Sequence, residues 1–338
     1  MKILMLVRLL PPAEVGGAER QCLRQARALA ARGHPVTVLT QWVDARSPRR
    51  ETRHGITILR FGFLLPMTYA ARRLHDWLVE RRGVRAVRPD PERKESLGAA
   101  VHPAKRFRWM ALAERPGVWS FLYEIQKAVR RGLITVEVVH AHESLWIAGV
   151  AQWVAEALGV PVFCKEASLP VLLFPSARDV PRAEEWRTRR LNCRFIAMTS
   201  AIADELESQG ISRRRIVTIP NGIEIPSVMA DPGKHSSGLY VGNFSQGAAH
   251  KAFDVLLRAW GEAVAIEPGM RLRLCGGGDT TAWREYAAQC GCGDSVVFEG
   301  PVADVSSLHR QSGFLVLPSR QEGMSNALLE AMASGLPA

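Results

Sequence analysis

The stretch FLVLPSRQEGMSNALLEAMA, residues 314–333, decides the fold class of this chain. Its first four residues, 314–317, are apolar and predict a buried strand that Pro318 ends. A polar loop follows, and residues 325–334 are rich in types that favour a helix. A strand, a loop and a helix in this order are typical of one βα unit of a parallel sheet.

The same alternation of short apolar runs and helical patterns extends over most of the 338 residues and predicts an α/β protein with two domains. Residues 226–238 are polar and non-periodic and contain Gly, Pro and Ser, so we place the domain boundary there. The prediction is an N-terminal domain over 1–225, a linker over 226–238 and a C-terminal domain over 239–338. The predicted strands are 2–7, 36–40, 56–60, 136–140, 162–164 and 195–198 in the first domain, and 239–241, 271–275, 296–298 and 314–317 in the second.

The formal net charge is +11, and a basic insertion over about 71–131 supplies most of it. This insertion contains about fifteen Lys and Arg against about seven Asp and Glu, with Trp, Phe and Tyr between them. Its middle part, 89–103, has the composition of a mobile loop. No nucleic-acid-binding module is recognisable, so we expect no nucleic acid as a partner. The insertion is either a plain solvated surface or a peripheral contact with an anionic membrane.

No apolar run reaches the length of a membrane span, and the short apolar start lacks the features of a signal peptide. We therefore expect a cytoplasmic protein, with peripheral attachment to the inner face of the cytoplasmic membrane as the open alternative. The six cysteines are scattered, and the close pair Cys290 and Cys292 is spaced too tightly for a usual zinc half-site. The expectation is reduced structural thiols and no metal site.

Two acids, Glu322 and Glu330, stand eight positions apart, one in the loop and one inside the predicted helix. Ligands of open α/β sheets bind beyond the carboxyl ends of strands, which is where this loop lies. Free N–H groups at the start of the helix suit an anion such as a diphosphate. Ionised carboxylates accept hydrogen bonds from the vicinal hydroxyls of sugars. The two acids and the helix start together favour a ligand that carries a diphosphate as well as sugar hydroxyls.

At this point the sequence resembles a known family. The stretch EGMSNALLE, residues 322–330, is similar to the E-x7-E motif of the family 4 retaining glycosyltransferases. The similarity extends to IPNGIE (219–224), VVHAH (138–142), GGAER (16–20) and VVFEGPV (296–302). The resemblance implies the GT-B fold, in which two Rossmann-like domains face a cleft. Related chains continue past GLPA, so it also implies that the second domain is incomplete here.

The resemblance further implies a retaining hexosyltransferase that moves a sugar from a nucleotide-sugar donor to a glycan or lipid-linked acceptor of surface-polysaccharide synthesis in the cell envelope. It implies no cofactor, because the nucleotide sugar is a substrate, and no metal. Glu322 would bond hydroxyls of the donor sugar, and Glu330 would bond the ribose. The loop and helix start that present them to the donor comprise Gly323, Met324, Ser325 and Asn326.

The resemblance places Lys251 on the donor diphosphate, where a cation stabilises the negative charge that the leaving nucleotide gains. The family usually pairs this lysine with an arginine after the dipeptide Val-Gly, but here Asn243 stands at that position. The usual Lys-Gly dipeptide is Lys251-Ala252. Arg320 and His250 are the candidates to replace the missing positive charge.

Three further residues of the first domain carry expected roles. Gly16 and Gly17 follow the first strand and resemble the loop that contacts donor phosphate and acceptor in this family. His142 follows a strand and matches the histidine beside the transferred sugar. Two other functions remain open: a GT-B-like nucleotide-sugar epimerase, and a weakly active or inactive nucleotide-sugar-binding fragment. The nucleotide base, the sugar and the acceptor are not specified by the sequence.

Overall fold

A computed structural model describes residues 1–12, 16–68, 70, 104–142, 146–169, 183–244, 249–302 and 304–338 of the chain. These residues divide into two compact units, the first up to Asn221 and the second from Gly222 to Ala338. The division falls four residues before the boundary predicted at 225. Residues 71–103, which include the loop predicted around 89–103, lie outside the described part of the chain.

Eight strands form one sheet in the first unit, as far as the structure describes it: β1 (Ile3–Leu6), β2 (Val36–Gln41), β3 (Arg50–Arg53), β4 (Ile56–Phe61), β5 (Val138–Ala141), β6 (Val162–Glu166), β7 (Arg194–Ala197) and β8 (Ile216–Thr218). Their order across the sheet is β3-β4-β2-β1-β5-β6-β7-β8. Neighbouring strands are parallel except β3 and β4, which are antiparallel. The sheet is therefore the parallel Rossmann-like core that the alternation of patterns predicted.

The six strands predicted in this unit are confirmed to within two residues at each end. The predictions missed β3 and β8, which form the two edges of the sheet. In β3, three of the four residues are exposed and its sequence RETR has no apolar alternation. Apolar periodicity reports burial, so an exposed edge strand leaves little trace in the sequence.

The helices of the first unit whose bounds lie within the described residues include α1 (Gly17–Ala31), α2 (Ala104–Arg130), α3 (Trp146–Leu158), α4 (Ala183–Arg190) and α5 (Ser200–Ser208). Helix α1 ends where Gly33 takes the left-handed backbone conformation, with φ of +83°, as expected of a glycine just past a helix. Its buried residues Cys22 and Ala26 share a core with Met5 and Val7. This contact places α1 on the face of the sheet towards which the side chains of Met5 and Val7 point.

The second unit has strands β9 (Ser237–Val241), β10 (Arg271–Cys275), β11 (Val296–Gly300) and β12 (Phe314–Leu315) in the order β11-β10-β9-β12, all parallel. Its helices are α6 (Phe253–Ile266), α7 (Thr281–Gln289), α8 (Val305–Arg310) and α9 (Asn326–Ala333). The four predicted strands are present. The predicted linker overlaps β9 by two residues, because Ser237 and Gly238 already pair with β10.

Aromatic side chains dominate the core of the second unit beneath the loops that follow β9 and β10. Tyr240, Phe244 and Phe253 are buried and contact one another with ring centroids 4.7–5.9 Å apart. Trp260 extends the same core, and its indole N–H donates to the hydroxyl of Ser295 at 3.1 Å. Buried aromatic residues contribute large apolar areas, so this core fixes the base on which the carboxyl-end loops rest.

Candidate functional site

In the second unit, Lys251 and Glu322 form an ion pair between a lysine Nζ and a carboxylate Oε1. Lys251 ends a short 3-10 turn (Ala249–Lys251), and Glu322 lies in the loop after β12. The amide of Arg320 donates to the carbonyl of His250 at 2.8 Å and joins the turn to the loop. The structure therefore brings together two of the predicted site residues, which are 71 positions apart in sequence.

Asn243 is exposed in the loop after β9, and this loop is fixed against the glycine-rich loop 276–278 that follows β10. The amide of Gly242 donates to the carbonyl of Cys275 at 2.9 Å, and the amide of Phe244 donates to Gly277 at 2.8 Å. A side chain on Gly276 would overlap the carbonyl of Gly242. The absence of a side chain at that glycine allows the two backbones to meet at the carboxyl edge of the sheet.

The hydroxyl of Tyr240 lies beneath this loop. It is buried and has no hydrogen-bond partner among the residues that the structure describes. Burial raises the pKa of Tyr240, and the nearby charge of Glu322 raises it further. Tyr240 is therefore a neutral donor close to the predicted donor-binding carboxylate, and sequence analysis missed it because a tyrosine in a buried strand is ordinary core composition.

Arg320 lies two residues before Glu322 and supplies a positive charge near the Lys251 turn. One of its guanidinium nitrogens bonds Asp254 Oδ2 at 3.1 Å, and its side chain is 55% exposed. Asp254 belongs to the first turn of α6. The positive charge that Asn243 lacks is therefore available from the loop that carries Glu322. His250, the other candidate, is exposed, and its pKa is lowered by burial and by the charge of Lys251.

Helix α9 begins as the sequence predicted. Ser325 is its N-cap, and the hydroxyl of Ser325 accepts a hydrogen bond from the amide of Leu328 at 3.3 Å. Asn326 is the first helical residue, and Gly323 and Met324 are half-buried in the loop before it. The cap satisfies one of the N–H groups that the first turn of a helix leaves without an intrahelical partner.

Glu330 is half-buried inside α9, and a buried histidine lies within reach of its charge. Burial lowers the pKa of His309, and the charge of Glu330 opposes that shift. The ring Nδ1 of His309 lies 2.9 Å from the hydroxyl of Ser334, which in turn donates to the backbone carbonyl of Glu330 at 2.8 Å. Sequence analysis missed His309, since no spacing rule connects it to α9.

In the first unit, His142 follows β5 and is 1% exposed. Neither of its ring nitrogens has a hydrogen-bond partner among the described residues. Its ring centroid lies 4.3 Å from that of His140. Burial, and then the neighbouring charges of His140 and Lys165, hold the pKa of His142 well below its usual value. His142 is therefore neutral near pH 7 and can donate or accept a hydrogen bond to an uncharged hydroxyl.

Gly16 and Gly17 stand at the start of α1, as predicted. The amide of Gly16 donates to the carboxylate of Glu19 at 2.8 Å, which is one half of a capping box, since glycine has no side chain to supply the other bond. Glu19 is 6% exposed, so the helix start already contains a buried negative charge. An anion at this loop would have to share the N–H groups with that carboxylate.

The structure adds two charged residues that sequence analysis did not assign, both at the end of β6. Lys165 is buried, and its Nζ donates to Asn221 Oδ1 at 2.6 Å. Glu166 forms a fully buried ion pair with Arg190 at 2.6 Å. The apolar pattern of β6 ends with these residues, and only the tertiary structure shows that they are inside the protein. Among the described residues, no group of three or more His, Cys, Asp or Glu side chains could hold a metal ion.

The family pattern described as Glycosyltransferase Family 4 matches residues 15–225. The chain belongs to this family. A second pattern, described as Glycosyl transferases group 1, matches residues 236–338. The first match ends four residues after the division between the two units, and the second match lies wholly within the second unit.

Curated relatives of this chain include mannosylfructose-phosphate synthase of Agrobacterium fabrum, which is 25% identical over 62% of this chain and 54% of its own length. A D-inositol 3-phosphate glycosyltransferase of Thermobifida fusca is 29% identical over 60% of this chain and 52% of its own. The chain spans about half the length of these curated relatives.

Solved structures similar to this chain include sucrose-phosphate synthase from Thermosynechococcus elongatus, with a TM-score of 0.64, 19% identity and coverage of 99% of this chain and 80% of the other. Anabaena Alr3699/HepE, solved in complex with UDP-glucose, has a TM-score of 0.59, 16% identity and coverage of 100% and 79%. At these identities the likeness establishes the fold, which is GT-B as the resemblance implied.

Proposed function

We propose that this chain transfers a sugar from a nucleotide-sugar donor to an acceptor with retention of the anomeric configuration. The observation that carries the proposal is the ion pair between Lys251 and Glu322 in front of α9. It unites a cation suited to a diphosphate with a carboxylate suited to sugar hydroxyls in one cluster. The likeness to HepE, whose structure contains UDP-glucose, supports a nucleotide sugar as the donor.

The reaction requires the bond between the anomeric carbon and the diphosphate to break while the acceptor oxygen bonds to the same face. The proton of the acceptor hydroxyl passes to an oxygen of the departing diphosphate. Lys251 and Arg320 stabilise the charge that develops on the diphosphate, and Glu322 exchanges its bond with Lys251 for bonds to the sugar hydroxyls. The protein thus contributes positioning and charge stabilisation.

Glu330 is proposed to accept hydrogen bonds from the ribose hydroxyls of the donor. Its backbone carbonyl is fixed by Ser334, and His309 contacts the same serine. His142, which is neutral, is proposed to contact a hydroxyl of the transferred sugar.

A binding experiment tests the donor assignment. Calorimetric titration with UDP, GDP and ADP should show one preferred nucleotide, and Lys251→Met should weaken its binding by about tenfold or more, because a charge-assisted hydrogen bond is lost. Lys234→Met is the control, since Lys234 pairs with Asp231 on the surface of the same unit. Absence of binding by all three nucleotides contradicts the proposal.

A product assay separates transfer from epimerisation. A transferase releases free nucleotide from the nucleotide sugar in proportion to added acceptor, whereas an epimerase changes the sugar without needing an acceptor. Glu322→Gln should slow nucleotide release while it preserves nucleotide binding, because Glu322 is assigned to the sugar. Isomerised nucleotide sugar formed without an acceptor would contradict the proposed function.

We further propose that the acceptor is lipid-linked or belongs to a surface polysaccharide, and that the enzyme contacts an anionic membrane through α2. A lipopolysaccharide 1,6-galactosyltransferase of Salmonella typhimurium, 29% identical over 42% of this chain, supports this class. Trp119 and Tyr123 on α2 are 52% and 45% exposed, and their rings stack 5.4 Å apart. Phe63 contacts Trp119 edge-on at 6.5 Å.

Cations extend this aromatic patch along the same face of α2. Lys127 lies one helical turn beyond Tyr123, and Arg115 one turn before Trp119, and both are exposed. Aromatic residues flanked by cations are typical of helices that lie at a membrane surface. Among the described residues, no helix is long and apolar enough to cross a membrane.

Flotation with vesicles tests the membrane contact. The protein should float with vesicles of phosphatidylethanolamine and phosphatidylglycerol but not with phosphatidylcholine alone, and Trp119→Ser with Tyr123→Ser should abolish flotation. Ile266→Ser is the control, because Ile266 is an exposed apolar residue of the second unit. Equal flotation of the double variant and the wild type would assign this surface to solvent.

A further inference from the structure

Lys165 is the most unusual charge in the described part of the chain. Its side chain is 3% exposed at the end of β6, and its Nζ donates to the side-chain oxygen of Asn221 at 2.6 Å. An ammonium group has three N–H donors, and an amide oxygen carries no net charge. A buried ammonium without an anion is costly, so proteins normally pair it or use it.

No described acid neutralises Lys165. The adjacent carboxylate, Glu166, is bonded to Arg190 and also accepts from the hydroxyl of Ser168 at 3.0 Å. Successive residues of a strand point to opposite faces, so Glu166 and Lys165 are separated by the sheet itself. Burial lowers the pKa of Lys165 to about 8, which leaves the group mostly protonated near pH 7.

Two histidines share the face of the sheet on which Lys165 lies. His140 is paired with Phe163 in the parallel register of β5 and β6, and Lys165 stands two residues after Phe163. His142 follows two residues after His140, so the three polar side chains point to the same side. The Nε2 of His140 and both ring nitrogens of His142 have no hydrogen-bond partner in the described part of the protein.

These side chains form a cluster rich in N–H donors at the carboxyl edge of the sheet. Lys165 donates, each neutral imidazole donates one N–H, and the cluster as described contains no carboxylate. Ligands of open α/β sheets bind at this edge. The ligand that satisfies both the unpaired charge and the unpaired donors is an oxyanion.

We propose that the first unit binds an oxyanion of the acceptor substrate at Lys165 and His140, next to the ring of His142 that is assigned to the transferred sugar, and that the acceptor therefore carries a phosphate or carboxylate group. The inference rests on the proposed glycosyl transfer in one respect, since that reaction is what makes the anion-bearing molecule an acceptor. The anion site itself is argued from the first unit alone. Of the residues assigned to the donor, Lys251, Glu322 and Glu330 belong to the second unit.

Titration of the full chain with inorganic phosphate and, separately, with acetate tests the site. The donor site is removed as a competitor by the Lys251→Met background. In that background, Lys165→Met should weaken binding of phosphate or acetate by at least about tenfold, because a charge-assisted bond is lost. The control Lys234→Met should leave it unchanged. Wild-type affinity in Lys165→Met, or no binding of either anion to the parent, would overturn the proposal.

Thermal unfolding separates binding from a structural role. Removal of a buried unpaired charge should raise the melting temperature of the ligand-free protein, whereas loss of a structural residue lowers it. If Lys165→Met does not fold, Lys165→Gln takes its place, and Lys165→Arg should retain anion binding. A lower melting temperature in both neutral variants, with anion binding retained, would make Lys165 structural.

A titration with UDP distinguishes this inference from the proposed function. With Lys251 intact, Lys165→Met should bind UDP within about twofold of the wild type. An equal loss of UDP and phosphate affinity would assign the anion to the donor and overturn the acceptor site. Failure of UDP to bind any variant, with anion binding still dependent on Lys165, would contradict the glycosyl transfer and leave the anion site in place.

Discussion

Lys165 and Lys251 are both lysines at the carboxyl edge of a parallel sheet, but their surroundings differ. Lys251 is 22% exposed and is neutralised by Glu322. Lys165 is buried, and its partner is the amide oxygen of Asn221. Where the protein supplies its own counter-charge, a ligand must displace it. Where the protein supplies none, the ligand itself completes the site. Without a ligand, the lysine of the second unit is therefore neutralised by a carboxylate, whereas the lysine of the first unit has only an uncharged partner.

The largest expected effect concerns Glu166, which stands beside Lys165 but is fully paired. Arg190→Met should lower the free energy of unfolding by about 3–5 kcal/mol, because it leaves a buried carboxylate without a partner. Arg189→Met is the matched control, since Arg189 is 28% exposed and should contribute less than about 1 kcal/mol. Urea unfolding measures the free energy of unfolding of both variants. A similar loss in both would contradict the larger contribution expected of the buried ion pair.

Acid should weaken the first unit through its buried histidines. Burial, with a smaller effect of the Lys165 charge, lowers the pKa of His140 to about 4, against 6.5 in the unfolded chain. The unfolded state then binds more protons, so stability is retained above pH 6.5 and is lost as pH falls towards 4. The loss is on the order of 1–2 kcal/mol at pH 5.

Urea unfolding of the wild type and His140→Gln between pH 7.5 and 5 measures this effect. The variant should lose less stability over the range, because its side chain does not titrate. His54→Gln is the control, since His54 is exposed. A parallel loss in the wild type and in His140→Gln would show that His140 is not the group responsible.

The donor side of the comparison can be sharpened at Arg320. Arg320→Gln should weaken UDP binding by roughly tenfold, about 1.4 kcal/mol, if this side chain supplies the charge that Asn243 lacks. Asn243→Arg should then restore binding in the Arg320→Gln background, because it returns a guanidinium to the position usual in the family. Arg310→Gln on α8 is the control. Undiminished affinity in Arg320→Gln would leave Lys251 as the sole cation.

The smallest effect is expected at Ala252, directly after Lys251. Its φ of +52° and ψ of +43° lie in the left-handed region, which favours glycine. Ala252→Gly should therefore stabilise the chain by up to about 1 kcal/mol, reduced by the greater freedom of glycine in the unfolded state. Chemical unfolding measures the difference. A clear destabilisation would mean that the contacts of the buried Ala252 methyl outweigh the backbone strain.

The prediction of the fold from sequence succeeded where elements are buried or capped. Strand 271–275 was predicted to the residue, and the last helix begins within one residue of the predicted start at 325. The exposed edge strand at 50–53 was missed, because its pairing with β4 leaves no apolar period. The predicted linker was two residues too long for the same reason, since Ser237 and Gly238 join β9 without an apolar signal at the start.

The candidate site divides in the same way. The acids of the motif at 322–330 and the histidine in VVHAH (138–142) are visible in the sequence, because each belongs to a short continuous stretch. The pairing of Lys251 with Glu322, the bond of Lys165 to Asn221 and the proximity of His309 to Glu330 join residues that are far apart in the chain. No local pattern encodes such distances, since they depend on how strands and helices pack.

The sequence by itself determined the family, the parallel α/β class and the identity of the two acids, because apolar periodicity and short-range motifs are local properties of the chain. The tertiary structure alone decided which charges are compensated. Burial and counter-charge arise from packing between distant segments, so the structure separates the paired lysine of the second unit from the unpaired lysine of the first.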